Sequence, residues 1–274
     1  MKKFFSIMVV ILLSMTVLAG CGDNADKEKV KTKAKPLVVA MDLTQPPFEM
    51  KDEKGNPTGV SVDFVKAFGE YIGRDVKIEN TSYDGLISSL QEGKADMVIS
   101  SMSITDEASQ TVDFSEPYAD IMLAVLVNKN SGISSAESLN QEGKKIVVIA
   151  DSAGYIYAQK NLTNTEIITL ADENACVSEV TQGKADAFIC DQLSIYRDWY
   201  NYTDKTTMIS IGGQEAERWG VAVQKGNTEL LAQINEFIGT YRVNGGFNKL
   251  TSRYLSEEKT TFDKLGVKWI FDID

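Results

Sequence analysis

Residues 37–41, Leu-Val-Val-Ala-Met, begin the stretch that decides the fold. This short apolar run predicts a buried strand, and apolar residues then recur at helical spacing between 60 and 71. A second strand is predicted at 76–78, a second helix around 86–90 and a third strand at 97–99. The order β-α-β-α-β is typical of a parallel sheet with helices packed on its faces.

The same alternation begins again downstream and predicts a second α/β lobe. Its strands are expected at 146–150, 166–169 and 185–190, and its helices at about 153–161 and 173–181. Apolar runs that lead into and out of this lobe lie at 121–127 and 219–223, and two final helices are expected at 228–243 and 247–255. Two crossings between the lobes make the first lobe discontinuous.

We therefore predict a two-lobed α/β clamshell. Residues 36–123 and 223–274 form lobe one, and residues 124–222 form lobe two. A ligand is expected between the lobes, and closure is expected to be a rotation about the two crossing strands. The tail from 256 to 274 is expected to pack on lobe one.

The amino-terminal residues have the pattern of an export signal. Two lysines precede an apolar or small-residue run that ends in Leu-Ala-Gly before Cys21. We interpret residues 1–20 as a signal peptide and the charged segment 21–35 as a flexible tether. The tetrad that ends in Cys21 resembles the bacterial lipoprotein box, which implies cleavage before Cys21, a diacylglycerol on its thiol and anchoring to the outer face of the cell membrane. The alternative is an ordinary signal that a cysteine happens to follow.

Composition excludes several function classes. The chain of 274 residues carries a formal net charge of −11, which disfavours nucleic acid as a partner. It contains no histidine, which excludes Ser-His and Cys-His nucleophile pairs and removes the commonest metal ligand. The sequence has no Cys-x-x-Cys pair and no glycine motif for phosphates, so we predict neither a metal site nor a cofactor.

Two further cysteines, Cys176 and Cys190, lie in the predicted lobe two. Export permits a disulfide between them. However, a helix position and a strand end fourteen residues apart need not approach as closely as a disulfide requires. We favour free thiols.

A series of motifs carries a family resemblance. In lobe one the motifs are Pro-Pro-Phe-Glu (46–49), Gly-Val-Ser-Val-Asp-Phe (59–64), Tyr-Asp-Gly-Leu-Ile (83–87), Asp-Met-Val-Ile-Ser-Ser-Met-Ser-Ile-Thr (96–105) and Val-Asp-Phe-Ser-Glu-Pro-Tyr (112–118). In lobe two, Gly-Lys-Ala-Asp-Ala-Phe (183–188) is followed by Asp191. In this order and spacing they resemble the amino-acid-type, family 3 substrate-binding proteins of bacterial ABC importers. The resemblance implies the type II periplasmic-binding-protein clamshell, a small-molecule ligand and, as partners, an ABC permease with its ATPase.

The resemblance also implies ligand contacts just beyond strand ends in both lobes. The predicted ligand-binding residues are Asp42, Gln45, Phe48, Tyr83, Ser100, Ser101 and Ser103 in lobe one, and Asp151, Ser152 and Asp191 in lobe two. Asp42 is expected to face the ligand's distal group, Tyr83 to cover the ligand and Asp191 to bind an α-ammonium through charge-assisted hydrogen bonds. The structural alternatives are core packing for the aromatic residues, turn capping for the serines and helix capping for Asp191.

Two departures from the family's pattern bear on the ligand. The family has an arginine that clamps the ligand's α-carboxylate where this chain has Ala108, and a glycine where it has Asp151. A ligand carboxylate without a guanidinium, beside an added acid, would be an unpaired or repelled charge. A cationic amine or an amino-acid derivative without a free α-carboxylate is therefore predicted. The alternative is an ordinary zwitterionic amino acid whose carboxylate is bound by Arg197 or Arg218.

Three function classes remain from the sequence. We predict a substrate-binding lipoprotein of an ABC importer, without enzymatic activity. The alternatives are a sensor or scavenger on the same clamshell, and a dehydratase-like enzyme. The enzyme requires a proton donor in the cleft, for which Asp151 is the candidate.

Overall fold

The computed structural model of the chain describes residues 35–150, 152–211 and 216–273. The predicted signal peptide, Cys21 and nearly all of the predicted tether lie outside the described residues, as does Asp151.

The described strands and helices alternate along the chain. The strands are β1 (Leu37–Met41), β2 (Met50–Lys51), β3 (Pro57–Thr58), β4 (Val76–Asn80), β5 (Met97–Val98), β6 (Val112–Phe114), β7 (Ala119–Ile121), β8 (Leu123–Asn128), β9 (Lys145–Ile149), β10 (Glu166–Leu170), β11 (Ala187–Asp191), β12 (Thr206–Ser210), β13 (Glu217–Trp219) and β14 (Ala222–Gln224). The α-helices are α1 (Val60–Ile72), α2 (Leu86–Gln91), α3 (Ala153–Asn161), α4 (Glu173–Thr181), α5 (Gln192–Asn201), α6 (Thr228–Val243), α7 (Gly246–Tyr254) and α8 (Ser256–Leu265). Short 3-10 helices lie at Tyr83–Gly85, Ala108–Gln110 and Ala136–Leu139.

The first sheet has the strand order β4-β1-β5-β14-β6. Strand β1 runs parallel to both neighbours, with Val39 opposite Ile78 on one side and Met97 on the other. Strand β14 returns antiparallel between β5 and β6. All residues of β1 except Val38 are buried, which explains its continuous apolar run, since a strand covered on both faces has no polar side.

The second sheet has the order β10-β9-β11-β8-β12 and repeats this design. Strands β10, β9 and β11 are parallel, while β8 lies antiparallel between β11 and β12. The two sheets with their helices confirm the α/β architecture predicted from the alternation of strand and helix patterns. The exact lobe boundaries stay a prediction.

The chain passes between the two sheets twice, and the two passages pair with each other. Strand β7 pairs antiparallel with β13, and Trp219 lies opposite Ala119. Strand β7 leads into β8 of the second sheet, and β13 leads back into β14 of the first. The apolar runs at 121–127 and 219–223, through which the crossings were predicted, each extend over two strands, because the hydrogen-bond partners change from one sheet to the other.

The carboxyl-terminal segment, which was expected to pack on lobe one, contacts α7 and also α5, which lies in the predicted lobe two. Phe271 packs against Phe247 of α7, with ring centroids 4.8 Å apart. Phe262 of α8 packs edge-on against Tyr196 of α5, with centroids 5.9 Å apart. Between these contacts, the backbone N–H of Asp120 in β7 donates to the carbonyl of Ile270 at 2.8 Å. The segment thus joins α7, α5 and a crossing strand.

Phe262→Ala tests whether this segment contributes to stability. Phe262 is fully buried, so we expect the substitution to lower the free energy of unfolding by about 3–5 kcal/mol through lost burial and a residual cavity. Leu265→Ala, on the same helix but 46% exposed, is the matched control and should change it by under about 1 kcal/mol. Denaturant midpoints measure both, and equal effects of the two variants would contradict the packing role.

Candidate functional site

A cavity of about 290 Å³ lies where strands of both sheets end. Gln45 and Ser100 follow β1 and β5 of the first sheet, and Asp191 ends β11 of the second. The lining residues are Gln45, Pro46, Phe48, Tyr83, Ser100, Ser101, Ser103, Ile121, Asp191, Leu193, Ser194, Arg197, Glu217 and Trp219. Carboxyl ends of parallel strands are where open α/β sheets bind ligands, so this cavity is the candidate site.

Most of the residues predicted from the sequence come together at this cavity. Those that line it are Gln45, Phe48, Tyr83, Ser100, Ser101, Ser103 and Asp191. Asp42 and Ser152 are not among the lining residues, and Asp151 lies outside the described residues. The ligand contacts of all ten stay a prediction.

Asp42 does not line the cavity but is hydrogen-bonded to residues that do. Its carboxylate accepts hydrogen bonds from the backbone N–H of Tyr83 at 3.0 Å and from the hydroxyl of Thr44 at 2.8 Å. Its own backbone N–H donates to the hydroxyl of Ser100 at 2.9 Å. These bonds join the end of β1 to two segments that line the cavity, so Asp42 fixes the positions of Tyr83 and Ser100.

Ser152 caps a helix. Its hydroxyl accepts from the backbone N–H of Tyr155 at 3.1 Å and donates to the carbonyl of Ile149 at 2.8 Å. It therefore begins α3, as a serine at the N-cap position commonly does.

Asp191 lines the cavity and also caps α5. Its Oδ1 accepts from the backbone N–H groups of Leu193 and Ser194 at 3.0 and 2.9 Å. The capping bonds hold this carboxylate in one orientation at the cavity wall. Helix capping, the structural alternative considered from the sequence, is thus present at a residue that also faces the cavity.

Two further charged residues line the cavity. Glu217, on crossing strand β13, was missed by the sequence analysis; it accepts hydrogen bonds from the Ser103 hydroxyl and from Trp219 Nε1, the latter at 3.3 Å. Arg197 of α5 donates through Nη2 to the hydroxyl of Ser194 at 2.8 Å. The position of Glu217 beside a predicted crossing was the available signal, because crossing strands border the cleft.

Arg218, the other arginine considered as a carboxylate clamp, is arranged differently. Its Nε lies 3.9 Å from Asp120 Oδ1, and its side chain is 62% exposed. It borders a neighbouring recess of about 960 Å³ that shares Ser103 and Glu217 with the main cavity. Of the two arginines, Arg197 is the one that lines the main cavity.

A buried carboxyl group lies behind the cavity wall. Glu49 is fully buried, and its side chain is hydrogen-bonded by the hydroxyls of Ser61 and Ser101, the Ser101 oxygen lying 2.9 Å away. Burial raises the Glu49 pKa to about 8, and the negative charge of Asp42 adds to the rise. In the sequence, Glu49 ends the Pro-Pro-Phe-Glu motif at 46–49, and no role was predicted for it.

Gly59 allows the loop that carries Phe48 and Glu49 to lie against α1. A Cβ at this position would be 2.3 Å from the Phe48 carbonyl oxygen, and the backbone φ of 125° is one that other residues rarely adopt. The backbone N–H of Ser61 then donates to that carbonyl at 3.1 Å.

Residues 37–257 match the family of bacterial extracellular solute-binding proteins, family 3. The chain belongs to this family. Among its relatives, the L-cystine-binding protein TcyJ of Escherichia coli K12 is 28% identical over 261 residues, covering 94% of this chain and 97% of the relative. The L-arginine-binding protein of Pseudomonas aeruginosa is 28% identical over 231 residues, covering 81% and 88%.

A solved structure similar to this solute-binding protein is that of an ancestral cationic amino acid solute binding protein. The two are 32% identical, with a TM-score of 0.67 over 80% of this chain and 95% of the other. Together with the sheet topology, this similarity confirms the two-lobed periplasmic-binding-protein fold.

In the described part of the chain, the cysteines form no disulfide and the acidic residues form no metal-binding group. Cys176 and Cys190 are free thiols, and burial raises the pKa of Cys176 to about 12 and that of Cys190 further. Within residues 35–150, 152–211 and 216–273, no three Cys, Asp or Glu side chains are grouped so that they could hold a metal ion.

The Glu49 carboxyl predicts a specific pH dependence of stability. Its native pKa of about 8 exceeds the ordinary 4.5, so between these pH values the native protein keeps a proton that the unfolded chain has lost. Stability therefore falls as pH rises across this interval, by about 4–5 kcal/mol from this group. Glu49→Gln should flatten the fall, measured as melting temperature from pH 4.5 to 8.5; equal slopes for both proteins would contradict a protonated native Glu49.

Proposed function

We propose that this solute-binding protein captures a small cationic amino acid outside the cell membrane and delivers it to an ABC permease with its ATPase. Family membership and relatives named for binding amino acids support this proposal. The observation that carries it is the set of charges in the cavity, which comprises two carboxylates and one guanidinium.

The charges of a cationic amino acid would balance those of Asp191, Glu217 and Arg197. Its α-carboxylate would pair with Arg197, its α-ammonium with Asp191, as the family resemblance suggests, and its side-chain cation with Glu217. A zwitterion without a side-chain charge would leave one carboxylate unpaired, and an unpaired charge in a closed cleft is costly. Tyr83 and Phe48 would cover the apolar part of the ligand.

A second candidate ligand is an amine or amino-acid derivative without a free α-carboxylate. It is favoured by Ala108, which occupies the position of the family's clamping arginine and is not among the residues that line the cavity. Against it, such a ligand would leave the guanidinium of Arg197 without an anionic partner from the ligand. The first candidate therefore accounts for more of the cavity's charges.

Pairs of compounds that differ only by the α-carboxylate distinguish the two candidates. We expect L-arginine to bind more tightly than agmatine, and L-lysine more tightly than cadaverine, when measured by calorimetry. Asp191→Asn and Arg197→Gln should each weaken amino-acid binding by about 2–5 kcal/mol, the loss typical when one member of a desolvated charge pair is neutralised. Arg218→Gln is the matched control and should leave affinity nearly unchanged.

Two other outcomes of this experiment would contradict the proposed cationic amino acid. Tighter binding of agmatine and cadaverine would contradict the cationic amino acid and support the second candidate. Failure of all four compounds to bind would contradict both.

We propose a binding protein without enzymatic turnover. Membership of a solute-binding family supports this reading over the dehydratase-like alternative. Asp151, the acid that the enzyme would use, lies outside the described residues. A sensor or scavenger would use the same cavity and differ only in its partner.

We also propose that lipid on Cys21 anchors the protein to the outer face of the membrane. Among the described residues, no helix is both long and apolar enough to span a bilayer. Cys21→Ala should release the protein from the membrane fraction without changing its melting temperature, because the predicted tether has few apolar residues to pack. An unmodified amino terminus in mass spectra of the membrane-extracted protein would contradict lipidation.

A further inference from the structure

Glu49 is a carboxyl group that the proposed binding mode does not use. It is fully buried, and it is not among the residues that line the cavity. Both of its neighbours toward the cavity do line it: Phe48 precedes it in the chain, and Ser101 is hydrogen-bonded to its Oε2. Ser101 therefore lies between this carboxyl group and the cavity.

The hydroxyls around Glu49 suit both of its protonation states. A serine hydroxyl has one donor and two acceptor lone pairs, and it rotates freely between roles. When Glu49 is neutral, its own proton is donated to one serine oxygen. When it is ionised, the hydroxyls of Ser61 and Ser101 can both donate to it. The same heavy-atom positions thus serve the acid and the carboxylate.

The titratable groups that interact electrostatically with Glu49 come from three other segments. Asp42, after β1, raises the Glu49 pKa through its negative charge. Burial and the charge of Glu49 raise the pKa of Tyr118, which precedes β7. Burial, Glu217 of β13 and Glu49 raise the pKa of Tyr83. These neighbours are acids or phenols, so the local field favours a proton on Glu49 until a cation arrives.

We propose that Glu49 is a specificity-determining residue that selects cationic ligands, because its carboxyl group gives up its proton to the solvent when a cation occupies the cavity. The inference rests on the proposed function in requiring a cationic ligand. An amide-like or uncharged ligand of the same shape would leave the proton in place and gain nothing from this residue.

Linkage determines the sign of the effect. A bound cation stabilises the carboxylate and lowers the Glu49 pKa from its value of about 8. The affinity for cations must then rise as pH increases through this range, by about tenfold for each unit by which the cation lowers the pKa. The affinity for neutral compounds should not change.

The test uses two small probes of the same shape, methylguanidinium, which is cationic, and methylurea, which is neutral. The glutamate carboxyl carbons are labelled with ¹³C, and Glu49→Gln identifies the Glu49 signal. In the ligand-free protein we expect the signal to titrate near pH 8. Saturating methylguanidinium should lower that midpoint by about one unit, whereas methylurea and sodium chloride at equal ionic strength should leave it unchanged.

Affinity measurements give a second readout. Methylguanidinium should bind the wild-type protein about sevenfold more tightly at pH 9 than at pH 6.5, and Glu49→Gln should abolish this difference. Glu79→Gln is the matched control, because it removes the same charge from a partly exposed ion pair with Lys77 and should behave as the wild type does. Glu49→Asp should restore part of the pH dependence, which a purely structural role would not produce.

Three results would overturn the inference: titration of Glu49 near its ordinary value of 4.5, a midpoint that bound methylguanidinium does not move, or no binding of methylguanidinium at all. The proposed function is judged separately, by the four amino acids and amines. Their failure together with a shifted Glu49 midpoint would contradict the cationic amino acid while sustaining cation selection by Glu49.

Discussion

The antiparallel pairing of β7 with β13 is the contact on which the site depends. It lies where the chain leaves one sheet for the other, and three of its residues, Ile121, Glu217 and Trp219, line the cavity. Trp219 also packs edge-on against Phe48, with ring centroids 5.1 Å apart, so this pair of strands holds the loop after β1 as well. Paired crossing strands are stiff along their length but permit rotation about them, which is the motion that a clamshell requires.

Buried polar groups in and next to the cavity wall lower the stability of the folded protein. Burial, together with the negative charge of Asp42, raises the Glu49 pKa to about 8, so this carboxyl is neutral at pH 7, and Ser100 is also fully buried. Local violations of good packing are typical of functional sites, where binding offsets the cost. Other carboxylates of the site stabilise it instead: Asp191 caps α5, and Asp42 accepts a hydrogen bond from the backbone of Tyr83, so both hold segments of the cavity wall in place.

The carboxyl-terminal segment adds a third connection near the crossing. Buried Trp269, Ile270 and Phe271 join the apolar core, and the Lys268 ammonium lies 3.5 Å from Asp120 of β7. Most of this segment follows the region that matches the family, which ends at residue 257. The segment contacts α7, α5 and the crossing strand, so the predicted rotation of the lobes would have to bend it or carry it along.

Local sequence patterns determined most of the secondary structure. Helices α3, α4 and α6 begin and end where predicted, because apolar periodicity and capping residues such as Ser152 and Asp172 act within a few residues of chain. Helix α8 was not predicted, since Phe262 is its single fully buried apolar residue and leaves no periodic stripe. Strand ends likewise indicated Ser101 and Asp191 as cavity residues.

Only the tertiary structure determined which charged side chains meet in the cavity. Arg197 lies on a helix and Glu217 on a crossing strand twenty residues further along the chain. The sequence offered Arg197 only as one of two alternative clamps, and it placed Glu217 beside a crossing without indicating that the two share a cavity. The burial of Glu49 depends on α1, the loop after β5 and the segment before β7 together. Hydrophobic periodicity is a property of neighbouring residues, whereas the energy of a charge depends on every group and every solvent boundary around it in space.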